Sequence, residues 1–294
     1  VKLFDQKFGE NFLTAVPLLP GVYRYFDSSG ELIYVGKAIR LRRRLQNYRN
    51  ARRLKSHRKM RAILQKAERL EFEVCSDHAQ ACLLELEEIR LRRPRFNVAS
   101  AYSFLYPSIG VKALEGTLEL FLTSQAEVLT ENRKIRWHGV YRSRSHAREF
   151  FVSLNELLVF VGHPESRLKT RDALPRGVWR KAYRTFPQDL ALHLDSFLRG
   201  ENVEFLSELS LRLLENAGAR ARRDEVQAGL KRCLMFWNLE CRRLNEVRRS
   251  CGFSEYPVPQ HCRDELFLRK KLGLAFRVGD SGRGNVVAVA TDFS

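Results

Sequence analysis

Between Lys37 and Ala67 there is not one Asp or Glu, although the 294-residue chain carries 34 of them. The chain also lacks an uninterrupted apolar run of the ~20 residues that a membrane-spanning helix needs, and it has no CxxC pair. Its first residues, VKLFDQKFGENF, lack the basic-then-apolar order of a secretory leader. These absences exclude a disulfide framework and a helical membrane anchor, and they lead one to expect a cytoplasmic protein. Position 1 is Val, so the start is expected to be an alternative codon or to be missing. The six cysteines, Cys75, Cys82, Cys233, Cys241, Cys251 and Cys262, read as small buried apolar residues.

What is present is a globular composition, 44% apolar and 11% aromatic, with length for about two domains. The formal charge is +18, and thirteen Lys or Arg fall in that acid-free stretch. A solvated helix face normally mixes signs, so a polyanionic partner is expected there. Phosphates are favoured over a membrane surface because Arg49 to Arg61 offers little apolar face beyond Leu54 and Met60.

Composition shifts suggest a boundary near 112–117 and another at 163–177, giving regions 1–113, 114–165 and 166–294. Asp189 to Arg249 reads as helices. LAFRV and VVAVA near the end read as short strands joined by GDSGRGN, whose GDSG is turn chemistry with no His or Asp context for a nucleophile. The fold class expected is α+β: a small three-stranded antiparallel sheet flanked by helices, then a mixed, mainly helical C-terminal region.

GVYRYF (21–26) and ELIYVG (31–36) flank Asp27-Ser28-Ser29-Gly30, a four-residue hairpin loop. With Phe26 facing Glu31, Tyr23 is expected opposite Tyr34 and Gly21 opposite Gly36. In KAIRLRRRLQNY, Leu41, Leu45 and Tyr48 form the inward stripe and Arg44 lies on it, while Arg42 and Arg43 point away. LEFEVC (70–75) alternates as a third strand, with Leu70, Phe72 and Val74 inward. In ACLLELEEIRLRR, Cys82, Leu86 and Ile89 face inward and Glu85 falls with them, whereas Glu87 and Glu88 are expected elsewhere. An inward carboxylate and guanidinium must be paired or ligated. Two readings stay open: a structural Arg44–Glu85 salt bridge, or a site for a metal and a phosphate.

PGVY, YVGKA, an Arg seven residues past that Lys, LLE, RPRFNV and YPSIGV stand in the order and spacing that resemble the GIY-YIG endonuclease domain of the UvrC excision-repair family, over roughly residues 14–112. WHGVYRSRSHAREFFVSLNELLVF is similar to the segment that follows it in that family. The resemblance implies that Tyr23 and Tyr34 are the motif tyrosines, that Lys37, Arg44 and Asn97 belong to the catalytic site, and that Glu85 ligates one divalent cation, Mg2+ or Mn2+. Tyr34, made more acidic by Lys37, is the expected general base, because a phenol near pKa ~10 is a poor one. Tyr23 is the alternative. Arg40, Arg42, Arg43, Arg49, Arg52, Arg53, Lys55, Arg58, Lys59 and Arg61 would neutralise DNA phosphates without reading bases.

Residues 163–200 hold no Cys where relatives keep a cluster, so no iron–sulfur centre is expected. The chain ends before a second nuclease and so looks most like the short, single-nuclease members of the family, the Cho type. That implies a bacterial, nucleoid-associated enzyme making the 3′ incision of nucleotide excision repair in damaged double-stranded DNA, presented by UvrB-type loading proteins. A non-catalytic nucleic-acid-binding protein and a GIY-YIG nuclease outside repair are the alternatives.

Overall fold

The computed structural model describes residues 1–98, 101–129, 134–165 and 174–276. It contains two compact units, built on Val1–Tyr102 and Ser103–Lys270.

The first unit opens with α1 (Leu3–Phe8) and α2 (Phe12–Ala15), followed by β1 (Gly21–Phe26) and β2 (Leu32–Ala38). Then come α3 (Leu41–Arg49), α4 (Arg58–Lys66), β3 (Arg69–Val74) and α5 (His78–Arg92). The sheet is antiparallel in the order β2-β1-β3, so β2 is an edge strand. The turn at 27–30 forms because Asp27 accepts from the backbone N–H groups of Ser29 and Glu31, both at 3.1 Å. Gly30 supplies a φ of +79°.

The hairpin register differs from expectation by two residues. Tyr23 pairs with Gly36 and Tyr25 with Tyr34, and an irregularity between Tyr25 and Phe26 brings Phe26 opposite Leu32. A shift of two keeps every side chain on its face. Tyr23 and Tyr34 therefore still share a face, as diagonal neighbours with ring centroids 6.1 Å apart.

Two layers cover this sheet. Tyr23, Tyr25, Tyr34 and Ala38 pack with Leu41, Leu45 and Tyr48 of α3 and Ile63 and Leu64 of α4. Val22 and Val35, on the opposite face, pack with Ala81 and Ile89 of α5. Asp77 caps α5 by accepting from the Gln80 N–H at 2.8 Å. Val74 is exposed rather than inward, since it ends the other edge strand.

The second unit starts earlier than the composition suggests. Residues 114–117 are the tight turn of a hairpin between β4 (Ser108–Leu114) and β5 (Thr117–Thr123). The unit boundary thus falls between residues 102 and 103 rather than after 113. With β6 (Arg136–Gly139), β7 (His163–Pro164) and β8 (Trp179–Arg184) they form an antiparallel sheet ordered β6-β4-β5-β8-β7. β7 pairs with β8, so the stretch 163–177 joins two strands of one sheet and separates no domains.

Against this sheet lie α6 (Arg144–Leu158) and α7 (Gln188–Leu198), with α8 (Glu204–Glu215), α9 (Ala217–Ala221) and α10 (Arg223–Phe236) packed on these helices and on one another. They share one apolar core that runs from Ile109 to Cys241. α11 (Arg242–Ser250) and α12 (Gln260–Leu272) enclose a smaller cluster around Cys251 and Leu266. All six cysteines are buried. Leu274–Phe276 forms no strand, while GDSG and VVAVA lie outside the described residues. No helix among the described residues is long and apolar enough to cross a membrane.

Candidate active site

Two groups of polar side chains stand on either side of edge strand β2. On the α3 face, Tyr23 is wholly enclosed, at 0% exposure, and Tyr34 is at 8%. Arg44, presented from α3 between the buried Leu41 and Tyr48, donates from Nε to the Tyr23 hydroxyl at 3.0 Å. The Tyr48 hydroxyl lies 3.3 Å from the same oxygen.

Burial, with a smaller contribution from Tyr34, raises the Tyr23 pKa well above that of a free phenol, and Arg44 opposes this only in part. Tyr23 therefore remains a neutral phenol at physiological pH. The space for its ring comes from Gly36, where a Cβ would sit 2.5 Å from the phenol carbon and hydroxyl of Tyr23. Only glycine permits that approach.

Lys37 is three residues beyond Tyr34 and so projects from the other face. There its ammonium pairs with Glu85 of α5, and its backbone N–H reaches the same carboxylate at 3.3 Å. The Glu85 side chain is only 16% exposed, so the acid is turned in toward the sheet. Burial works to lower the Lys37 pKa, but Glu85 and, more weakly, Cys82 and Tyr34 outweigh it and leave the pKa raised. Lys37 is thus the electrostatic link between the carboxylate and the phenol face.

Several expectations are corrected by this arrangement. Arg44 pairs with Tyr23 and not with Glu85. The cation over the Tyr34 ring is the Lys59 ammonium, 4.9 Å from the centroid, while that of Lys37 belongs to Glu85. Asn97 spends both ends of its amide on the backbone of Val35, donating to its C=O at 2.8 Å and accepting from its N–H at 2.9 Å. It holds β2 in place rather than reaching outward.

Glu88 does not point elsewhere: it is buried, and with Glu73 it clasps Arg24 of the central strand. Arg42 donates to the Val16 and Thr14 carbonyls, and Arg49 is bound to the buried Asp5. Both fasten the N-terminal segment and are not free for phosphates. Arg40, Arg43, Arg52, Arg53, Lys55, Arg58 and Lys59 are exposed, and Arg61 is half-buried.

Tyr48 is the functional candidate that sequence reasoning passed over. Its position four residues after Arg44 was the available signal, because i and i+4 share a helix face.

The donor set suits a hard divalent cation that keeps most of its water. Such an ion needs only one or two carboxylates, and Glu85 offers one at a place where a positive group already sits. No group of three or more His, Cys, Asp or Glu able to hold a metal occurs among the described residues.

Residues 19–98 match the family model for the UvrC-like GIY-YIG domain. The chain is 43% identical over 144 residues to the UvrABC system protein C of Pseudothermotoga lettingae, covering 49% of this chain and 25% of that protein. It is 27% identical over 216 residues to that of Microcystis aeruginosa, covering 70% and 33%. The chain therefore spans about a quarter to a third of the length of these curated relatives. Among solved structures, the GIY-YIG N-terminal endonuclease domain of UvrC from Thermotoga maritima bound to magnesium is 36% identical, with a TM-score of 0.27, covering 29% of this chain and 91% of that one.

Proposed function

We propose, from the premise that residues 19–98 are a UvrC-like GIY-YIG domain, that this chain is a divalent-cation-dependent DNA endonuclease. The observation that carries the reading is the pair of groups flanking β2: an enclosed phenol bonded to a guanidinium on one face, and a half-buried carboxylate bonded to a lysine on the other. A structural salt bridge between Arg44 and Glu85 would have consumed both charges, and it is not formed.

Within this reading Arg44, its direction set by Tyr23, engages the scissile phosphate. Tyr23 keeps its proton and orients Arg44. Tyr34 is the less enclosed of the two motif phenols and, as the phenolate, would take the proton of the attacking water and return to the phenol. A divalent ion at Glu85, Mg2+ or Mn2+, supplies Lewis-acid stabilisation of the developing charge. Lys37 holds the Glu85 carboxylate in position. The exposed Arg40, Arg43, Arg52, Arg53, Lys55, Arg58 and Lys59 supply affinity that is independent of sequence and weakens with salt.

We further propose that the substrate is damaged double-stranded DNA, that the cut is the 3′ incision of nucleotide excision repair as in the short Cho-type proteins, and that UvrB-type proteins load the enzyme on the bacterial nucleoid in the cytoplasm. The test is nicking of a defined lesion duplex with loading proteins, with and without Mg2+, beside Glu85→Ala. A nick on the 3′ side that needs both Mg2+ and Glu85 supports the reading. Equal DNA binding with no cutting by either protein under any metal would leave only a nucleic-acid-binding role. Cutting that needs no loading partner would place the nuclease outside repair.

A further inference from the structure

The second unit carries a groove that the nuclease reading leaves unused. It is open, about 1020 Å³ in volume, and lies between α6 and the start of β8. Arg144, Ser145, Arg148, Trp179 and Arg232 line it.

Trp179 is 39% exposed, whereas Trp137, in the same unit, is buried. The Arg148 guanidinium sits over the Trp179 ring at 4.8 Å, and Phe151 meets the ring edge-on at 6.3 Å, so the indole is held at a fixed angle. Arg232 is engaged by Ser153 at 2.5 Å and offsets Glu156 at 3.4 Å. That leaves Arg144 and Arg148, both exposed, without a carboxylate partner among the described residues; of the two lining acids, Glu156 is met by Arg232 and Glu149 remains.

A fixed, half-open indole with paired arginines beside it is the combination by which single strands are held: a base stacks on the ring while guanidinium groups take the flanking phosphates. A duplex keeps its bases stacked on one another and cannot offer one to a ring recessed in a groove. A membrane surface is disfavoured, because the groove is concave.

We propose that this groove is a second DNA site, binding an unpaired segment of strand with one base on Trp179 and neighbouring phosphates on Arg144 and Arg148. The site is assigned to the second unit alone and does not depend on the chemistry proposed for the first.

All three tryptophans, Trp137, Trp179 and Trp237, belong to the second unit, so indole emission reports on it alone. The experiment is a fluorescence titration of the full chain with an oligo(dT) of about 12 nucleotides, a length within the site sizes of single-strand binders. A saturable quench is expected. Trp179→Phe should lose it while keeping the emission of the other two indoles. Arg144→Ala and Arg148→Ala should each weaken binding roughly tenfold and lower the salt slope by about one.

A flat wild-type titration overturns the proposal. So does a quench of full amplitude in Trp179→Phe, arginine variants that bind as tightly as the wild type, or a paired duplex that quenches as strongly as the single strand. Glu85→Ala should quench like the wild type, so failure here and failure of the nuclease reading are told apart.

Discussion

Glu85 and Glu88 lie three residues apart on α5, face the same sheet and each bind a cation, yet they are placed for opposite purposes. Glu88 reaches the central strand, where Arg24 is held between it and Glu73 with all three side chains nearly closed off. Glu85 reaches the edge strand, where its partner Lys37 is 35% exposed. Enclosure on all sides makes the first cluster a fastener, since no ion can enter without unfolding it. An open edge would let the second exchange its ammonium for a metal ion. Under the proposed function, the chemistry of this small sheet then lies at its edge strand, even though the same residue type is available one helical turn away.

The sharpest way to break this contrast is to truncate each acid. Glu85→Ala should cut the nicking rate by roughly a thousandfold or more and leave the melting temperature close to that of the wild type. Glu88→Ala should do the reverse, losing about 3 kcal/mol of stability by leaving a buried guanidinium with Glu73 as its one remaining carboxylate, while retaining nicking below its melting point. Chemical denaturation and single-turnover nicking of both variants decide the matter. If Glu88→Ala is inactive while folded, the distinction between edge and centre is wrong.

Next in size is Tyr23→Phe. It keeps the ring over Gly36 but removes the hydroxyl that orients Arg44, so nicking should fall roughly a hundredfold with stability changed by about 1 kcal/mol. An unchanged rate would remove Tyr23 from the site. The smallest effects separate the free arginines from the fastened ones. Arg43→Ala should weaken duplex binding a few-fold and lower its salt slope by about one. Arg49→Ala should leave affinity unchanged and lower the melting temperature, because its partner is the buried Asp5.

Part of the first unit's layout was readable from periodicity. Leu41, Leu45 and Tyr48 at helical spacing, and alternating apolar runs around a four-residue turn, sufficed for three strands and for α3 and α5, whereas α1, α2 and α4 carried no such signal. The register was not readable, because the irregularity at Tyr25 and Phe26 follows from hydrogen bonds of the Asp27 side chain rather than from loop length. Glu88 was misread because an acid in an amphipathic helix is expected to face water. Only Arg24, sixty-four residues earlier, makes an inward position tolerable.

The boundary near 113 was misplaced for a similar reason. The polar turn at Glu115 and Gly116 is a hairpin bend, with φ of +40° and +78°, and not a linker. Arg42 and Arg49 looked free because the carbonyls and carboxylate that bind them come from a segment distant in sequence.

The two hydrogen bonds between Asn97 and Val35 span sixty-two residues and reach β2 between Tyr34 and Gly36. They set a lower limit on any portable fragment. A fusion module cut just after α5 would retain every group assigned to catalysis but lose this amide, and would leave the outer rim of its sheet held by β1 alone. Whoever grafts this domain onto a new DNA-targeting partner must attach the joint downstream of Asn97.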